Sequence, residues 1–171
     1  MAAKSTVNRG AKKSYSYGEK KHLRVTKEAV VISDTEKTKS IEIPFQRWAS
    51  LMRYIADIEE SAYRFYTDGF VQYKQHIGGG WFVGVSSGFP CVDIRKFYLP
   101  PFGVEAKPTK SGLTVRFPEW KAFVNAARNL NDDNPQLAQF QPCDIHPNQE
   151  EAMTCGECNP FGDSLFASHL L

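Results

Sequence analysis

The chain has 171 residues, 42% of them hydrophobic, with a formal charge of +2, which is enough apolar material for one compact domain or for two small halves sharing a core. No run approaches the roughly 18 to 20 apolar residues that span a bilayer and no apolar stretch near the start resembles a signal peptide, so the expectation is an intracellular protein with no membrane partner. The small net charge conceals an asymmetry: residues 1–27 hold eight basic residues against Glu19, a charge of +7, while after Arg128 come seven acidic residues and no Lys or Arg, a charge of −7. A basic segment of this kind suits a polyanion, because phosphate affinity comes largely from Lys and Arg displacing counterions.

Residues 1–20 are rich in Lys, Ser, Gly and Ala with little to bury, and read as a disordered basic arm. From His22 the composition favours strands: Leu23 and Val25, then Ala29 to Ile32, then Lys39 to Ile43, with a polar break from Ser33 to Ser40. Pro44 suits the first turn of a helix. In the helix that follows, Trp48, Leu51, Met52, Ile55, Ile58, Ala62 and Phe65 recur at spacings of three and four and so form one apolar stripe. Asp68-Gly69 ends it.

Val71 to Ile77 alternates and runs into Gly78-Gly79-Gly80. No P-loop lysine or helix follows, so the glycines mark a bulge or hairpin bend rather than a nucleotide loop. Trp81 to Val85 is strand-like, Ser86 to Pro90 a turn, and Cys91 to Tyr98 a further strand in which Val92, Ile94 and Phe97 feed a core while Asp93, Arg95 and Tyr98 belong to a second surface. After Pro100-Pro101-Phe102-Gly103 come Lys107 to Gly112 and the strand Leu113 to Phe117. Pro118 opens a helix with Trp120, Phe123, Val124, Ala127 and Leu130 on one face. Placing Trp48 on Trp120 superposes Ile41, Ile43 and Phe45 on Leu113, Val115 and Phe117, a candidate internal repeat of 72 residues.

Trp81-Phe-Val-Gly-Val85, Cys91-Val-Asp-Ile-Arg-Lys-Phe-Tyr98, Lys107-Pro-Thr-Lys-Ser-Gly112, Leu113-Thr-Val115 and Trp120 follow one another in an order that resembles the C-terminal domain of the positive cofactor four family of transcriptional coactivators. The resemblance covers about a third of the chain, and Ile41 to Trp48 with Ala56 to Glu60 resembles the last strand and helix of the same domain. It implies an α+β fold: a curved antiparallel sheet of about four strands followed by a helix, with an additional N-terminal strand–helix unit as a partial repeat, and a homodimer or internal pseudo-dimer formed through the helices. It also implies single-stranded DNA or unwound duplex as partner, a nuclear location, and a role in transcriptional coactivation or DNA maintenance alongside transcription-machinery proteins.

Arg95, Lys107 and Lys110 match the family's basic positions, and Tyr98 stands where the family places a stacking aromatic. Trp81, Lys74 and Lys96 are added on chemistry alone, since base faces stack on aromatic rings and phosphates attract cations. Phe89 lies in a turn that is shorter than the family's and lacks its basic residues, where it can replace an aromatic. Ser111 stands where a second basic residue is usual. For Arg95 there is a competing partner, Asp93, two residues earlier on the same strand face.

In the tail, Cys143, His146, Cys155 and Cys158 have the paired spacing of a structural Cys3His zinc site; free thiols in a disordered tail and disulfides are the alternatives. Cys91 reads as a packed thiol. No paired carboxylates or nucleophile–base set points to an enzyme. The organisation expected is thus a basic arm (1–20), a strand–helix half-repeat (21–69), a coactivator-like domain (70–131) and an acidic tail with a possible zinc knuckle (132–171). A second function class fits the same chain: a protein-interaction adaptor that docks through the acidic tail, with weak or no DNA binding.

Overall fold

The computed structural model describes residues 13–142 and 145–161. The fold is α+β, with two four-stranded antiparallel sheets in simple up-and-down order. The first sheet comprises β1 (Ser14–Gly18), β2 (Lys21–Val25), β3 (Ala29–Asp34) and β4 (Lys39–Pro44), and leads into α1 (Phe45–Arg53) and α2 (Ile55–Thr67). The second comprises β5 (Gln72–Gly78), β6 (Trp81–Ser86), β7 (Phe89–Tyr98) and β8 (Lys107–Arg116), and leads into α3 (Phe117–Asp133). A short 3-10 turn at Pro135–Gln139 and α4 (Gln149–Thr154) complete the described residues, in which no helix is long and apolar enough to cross a membrane.

The N-terminal unit is therefore a complete copy rather than a half-repeat. Its extra strand begins inside the segment read as a disordered arm: Ser14-Tyr-Ser-Tyr17 alternates, and Tyr15 and Tyr17 are buried. Two aromatic side chains at period two supply enough apolar surface to order a strand that composition alone marks as soluble. Residues 1–12 lie outside the described residues.

The two copies align strand for strand, but at changing distances in sequence. Both first hairpins carry a register shift near the turn, between Ser16 and Gly18 in one and His76 and Gly78 in the other, which are 60 residues apart. From β4 and β8 onward the distance is 72, since Ile41 faces Ile32 as Leu113 faces Ile94 and the helices start at Phe45 and Phe117. The difference arises chiefly in the β7–β8 hairpin, whose strands have 10 residues each against 6 in β3 and β4.

Each half covers the other. Helix α3 lies against β1 and β2, while α1 and α2 lie against β5, β6 and β7, so the buried faces of both sheets meet the helices across one continuous core. Phe123 stands at its centre: its ring is stacked on Trp120 at 5.0 Å and meets Tyr17 at 5.2 Å and Trp48 at 6.5 Å edge-on. The Trp48 indole N–H donates to Asn131 Oδ1 at 2.8 Å, giving the polar end of a buried ring a partner from the opposite half. Lys21, itself buried, places Nζ 2.8 Å from Glu119 in the first turn of α3, where a carboxylate also favours the helix N-terminus.

The long amphipathic stripe from Trp48 to Phe65 belongs to two helices. Tyr54, at φ −95° and ψ 7°, interrupts it, and α2 restarts at Ile55 so that Ile55 and Ile58 rejoin the core. Side-chain spacing carries through the break because a single non-helical residue changes direction more than phase.

Candidate functional site

Which face of the second sheet remains open follows from the helices. Val83, Val85, Val92, Ile94, Leu113 and Val115 point toward α1, α2 and α3 and are buried. The alternate residues face away, and β-strand geometry gathers them on one surface. Phe82 pairs across strands with His76 and Arg95, and Arg95 in turn with Gly112, so these four form one row. Phe97 follows Arg95 at period two and belongs to the same face.

That outer face is aromatic and cationic. The ring of Phe82 lies 4.9 Å from that of His76 and 4.8 Å from that of Phe97. Lys74 Nζ sits 4.6 Å from the Phe82 centroid and 4.0 Å from that of Phe97, within cation–π range of both. Beside them a groove of about 470 Å³ runs between β5 and β7, reaching Phe89, Cys91, Asp93 and Arg95. Its floor is low at Gly84, where a Cβ would stand 2.9 Å from the Tyr73 carbonyl oxygen.

Arg95 is held in place rather than free. Its Nε and Nη2 donate to the two carboxylate oxygens of Asp93 at 3.1 and 3.0 Å, and Nη1 donates to the Thr109 carbonyl at 2.9 Å. The guanidinium lies over Gly112, where a Cβ would fall 2.8 Å from it, so the glycine makes room for the cation. The pairing leaves Lys74 as the principal uncompensated cation inside the face, since burial holds the His76 imidazole below its ordinary pKa. The neutral ring accepts the Gly80 N–H at Nε2, 3.0 Å away. Partial burial also pushes the Cys91 thiol up, although the side chain lines the groove rather than the core.

The residues expected from sequence are divided by this geometry. Lys74, Phe89 and Arg95 share the outer face, with Phe89 exposed. Trp81 does not: it points inward and is only 7% exposed, part of the core, because it occupies the same side of β6 as Val83 and Val85. Phe97, assigned to the core from sequence, belongs instead to the outer face. Tyr98 is 48% exposed and pairs with Lys107, but the alternation sets it opposite Arg95, on the side that Lys96 also takes, beyond the end of the helix cover. Lys96, Lys107 and Lys110 are exposed, and Lys110 borders the seam between β8 and β4 near Lys39 and Glu42. Lys96 and Lys107 take the same side as Tyr98 and so lie off the face that holds Lys74, Phe82 and Arg95.

Phe82, Phe97 and His76 were missed. Strict alternation from Cys91 would have placed Phe97 with Asp93 and Arg95, so the signal was present. The outer face of the first sheet offers a contrast: the rows Ser14, Arg24, Val31, Glu42 and Ser16, His22, Ser33, Ser40 contain no Phe, Tyr or Trp.

The tail brings together a second group. His146, Cys155 and Cys158 present ligand atoms within 4.8 Å of one another, and His146 Nε2 lies 3.2 Å from Cys158 Sγ. Tetrahedral zinc, with ligand bonds of about 2.0 to 2.3 Å, needs donor–donor separations of about 3.3 to 3.8 Å, so this group could hold a metal ion. Cys143, the fourth residue expected there, lies outside the described residues. The loop is closed by Asn159, whose side-chain amide donates to the carbonyls of Ala152, Met153 and Cys155.

No protein-family model, curated protein or solved structure matches the chain.

Proposed function

We propose that this protein binds single-stranded DNA, or locally unwound duplex, without reading sequence, through the outer face of the second sheet, and that it acts in transcriptional regulation or DNA maintenance. One observation carries the reading: Phe82, Phe97 and His76 form a continuous, half-buried aromatic row under Lys74 on the face of the sheet that no helix covers. Bases of a single strand expose their faces for stacking, worth about 1 to 3 kcal/mol per base, whereas in duplex those faces are occupied by neighbours. Lys74 suits the phosphates from within the face, and the exposed Lys96, Lys107 and Lys110 at the β7–β8 end add positive charge beside it. The resemblance of the β6–α3 motifs to the coactivator family points the same way, and the nuclear location and transcription-machinery partners belong to that part of the proposal.

A fluorescence titration of short single strands against duplex of the same length, at two salt concentrations, tests the reading. Single strands are expected to bind at least about tenfold tighter, with a logarithmic salt slope of about −2 to −3, the value for three or four phosphates at roughly −0.7 each. Equal affinity for both forms with no salt dependence would leave the acidic tail as a protein-docking element and remove the nucleic-acid reading.

For the tail, the reading is a structural zinc ion held by His146, Cys155 and Cys158, with Cys143 as fourth ligand. The thiolate–imidazole donor set favours zinc over hard cations that prefer oxygen. Metal analysis of the purified chain is expected to find about one zinc per chain; a clearly substoichiometric value retires the site.

A further inference from the structure

The candidate metal loop does not hang free of the sheet. Glu157 lies between Cys155 and Cys158, and its carboxylate accepts both the Nε and the Nη2 hydrogen bonds of Arg47, each at 2.9 Å. Arg47 belongs to α1 of the first half, so this fork–fork pair ties the loop to the core scaffold. The Glu157 carbonyl simultaneously accepts the Gly79 N–H at 2.8 Å. Gly79 and Gly80 form the β5–β6 turn at φ +59° and +84°, and a Cβ on Gly79 would sit 2.2 Å from Arg47 Nη2, so the guanidinium lies directly on the turn.

From the turn the contacts run straight into the aromatic row. The Gly80 N–H donates to His76 Nε2 at 3.0 Å and the Gly80 carbonyl accepts the Phe97 N–H at 2.8 Å. His76 and Phe97 are the two rings on either side of Phe82. One turn thus fixes both ends of the row, and one loop fixes the turn.

We infer that the metal loop is a positioning element for the nucleic-acid face: metal bound by His146, Cys155 and Cys158 seats Glu157 on Arg47 and Gly79, and thereby sets the rings of His76 and Phe97, so that metal and single strand bind cooperatively. Glu157 is the positioning residue of this device, touching neither the metal nor the strand. The coupling is reciprocal, because any ion that raises strand affinity must be held more tightly when the strand is bound. The inference rests on the single-strand reading for its functional arm, but its structural arm does not depend on it.

The test uses the full chain, zinc as the metal and a fluorescent oligothymidylate of about 12 nucleotides as the strand. Removing zinc with a chelator is expected to lower strand affinity about 5- to 10-fold. It should also raise amide hydrogen exchange across residues 78–82. Glu157→Ala should keep its metal, seen as a thiolate-to-cobalt absorption band on cobalt substitution, yet show the same loss of affinity and the same faster exchange. Chelation should then add little in that variant. Unchanged exchange at residues 78–82 in both the chelated protein and Glu157→Ala overturns the inference, as does failure of the full chain to bind zinc. If the wild-type chain binds no single strand, the nucleic-acid reading fails alone, and metal-dependent protection of the turn still decides whether the loop positions it.

Discussion

Replacing Phe97 or Phe82 by alanine is expected to weaken single-strand binding by about 1 to 3 kcal/mol each, a drop of roughly 5- to 150-fold, while leaving the protein folded. Both rings lie on the outer sheet face, away from the helices, so their loss removes a stacking platform and the two cation–π contacts of Lys74 rather than a core contact. Fluorescence anisotropy with a labelled strand gives the affinity and a thermal melt gives the control; undiminished affinity in both variants would exclude this face as the binding site. Arg95→Ala should behave differently from a simple loss of charge. It strips Asp93 of its bidentate partner and leaves a bare carboxylate facing the phosphates, so Asp93→Asn in the same background should recover part of the affinity.

The largest effect on stability is expected at Phe123. Its ring is fully buried among Trp120, Tyr17 and Trp48, which come from both halves, and truncation to alanine should cost about 3 to 5 kcal/mol. Against a total of about 5 to 15 kcal/mol for a typical domain, that is a large fraction. Because α3 covers the first sheet and α1 with α2 covers the second, neither half has a covered core by itself. Urea unfolding followed by circular dichroism and by tryptophan fluorescence should therefore show one coincident transition, in the wild type and shifted in Phe123→Ala. Two separated transitions would mean that the halves are independent domains.

The site was only partly legible. Lys74, Arg95 and Phe89 could be named because charge and aromaticity are visible in the sequence, and the Arg95–Asp93 pair because residues at period two share a face. Trp81 and Phe97 were assigned to the wrong sides. An aromatic residue in a strand is equally suited to a core and to a stacking surface, so its chemistry does not say which way it points. The spacing of His146, Cys155 and Cys158 forecast their convergence, since close pairs bring ligands together through local turns, whereas nothing in the sequence links Glu157 to Arg47, 110 residues away.

By itself the sequence determined the local elements: the alternation of β6 and β7, the three-and-four spacing of the helices, Pro118 at the start of α3, and the kinship of Ile41–Trp48 with Leu113–Trp120. These are consequences of periodicity and backbone geometry within about 20 residues, which a chain carries wherever it folds. The tertiary structure decided what is exposed. Whether Trp81 or Phe82 meets solvent depends on which face of the second sheet the first half's helices cover, and that is settled by the crossed packing of two copies around Phe123. Only that packing turns one of two similar sheets into an open aromatic face, because burial belongs to the assembled core and not to any segment of the chain.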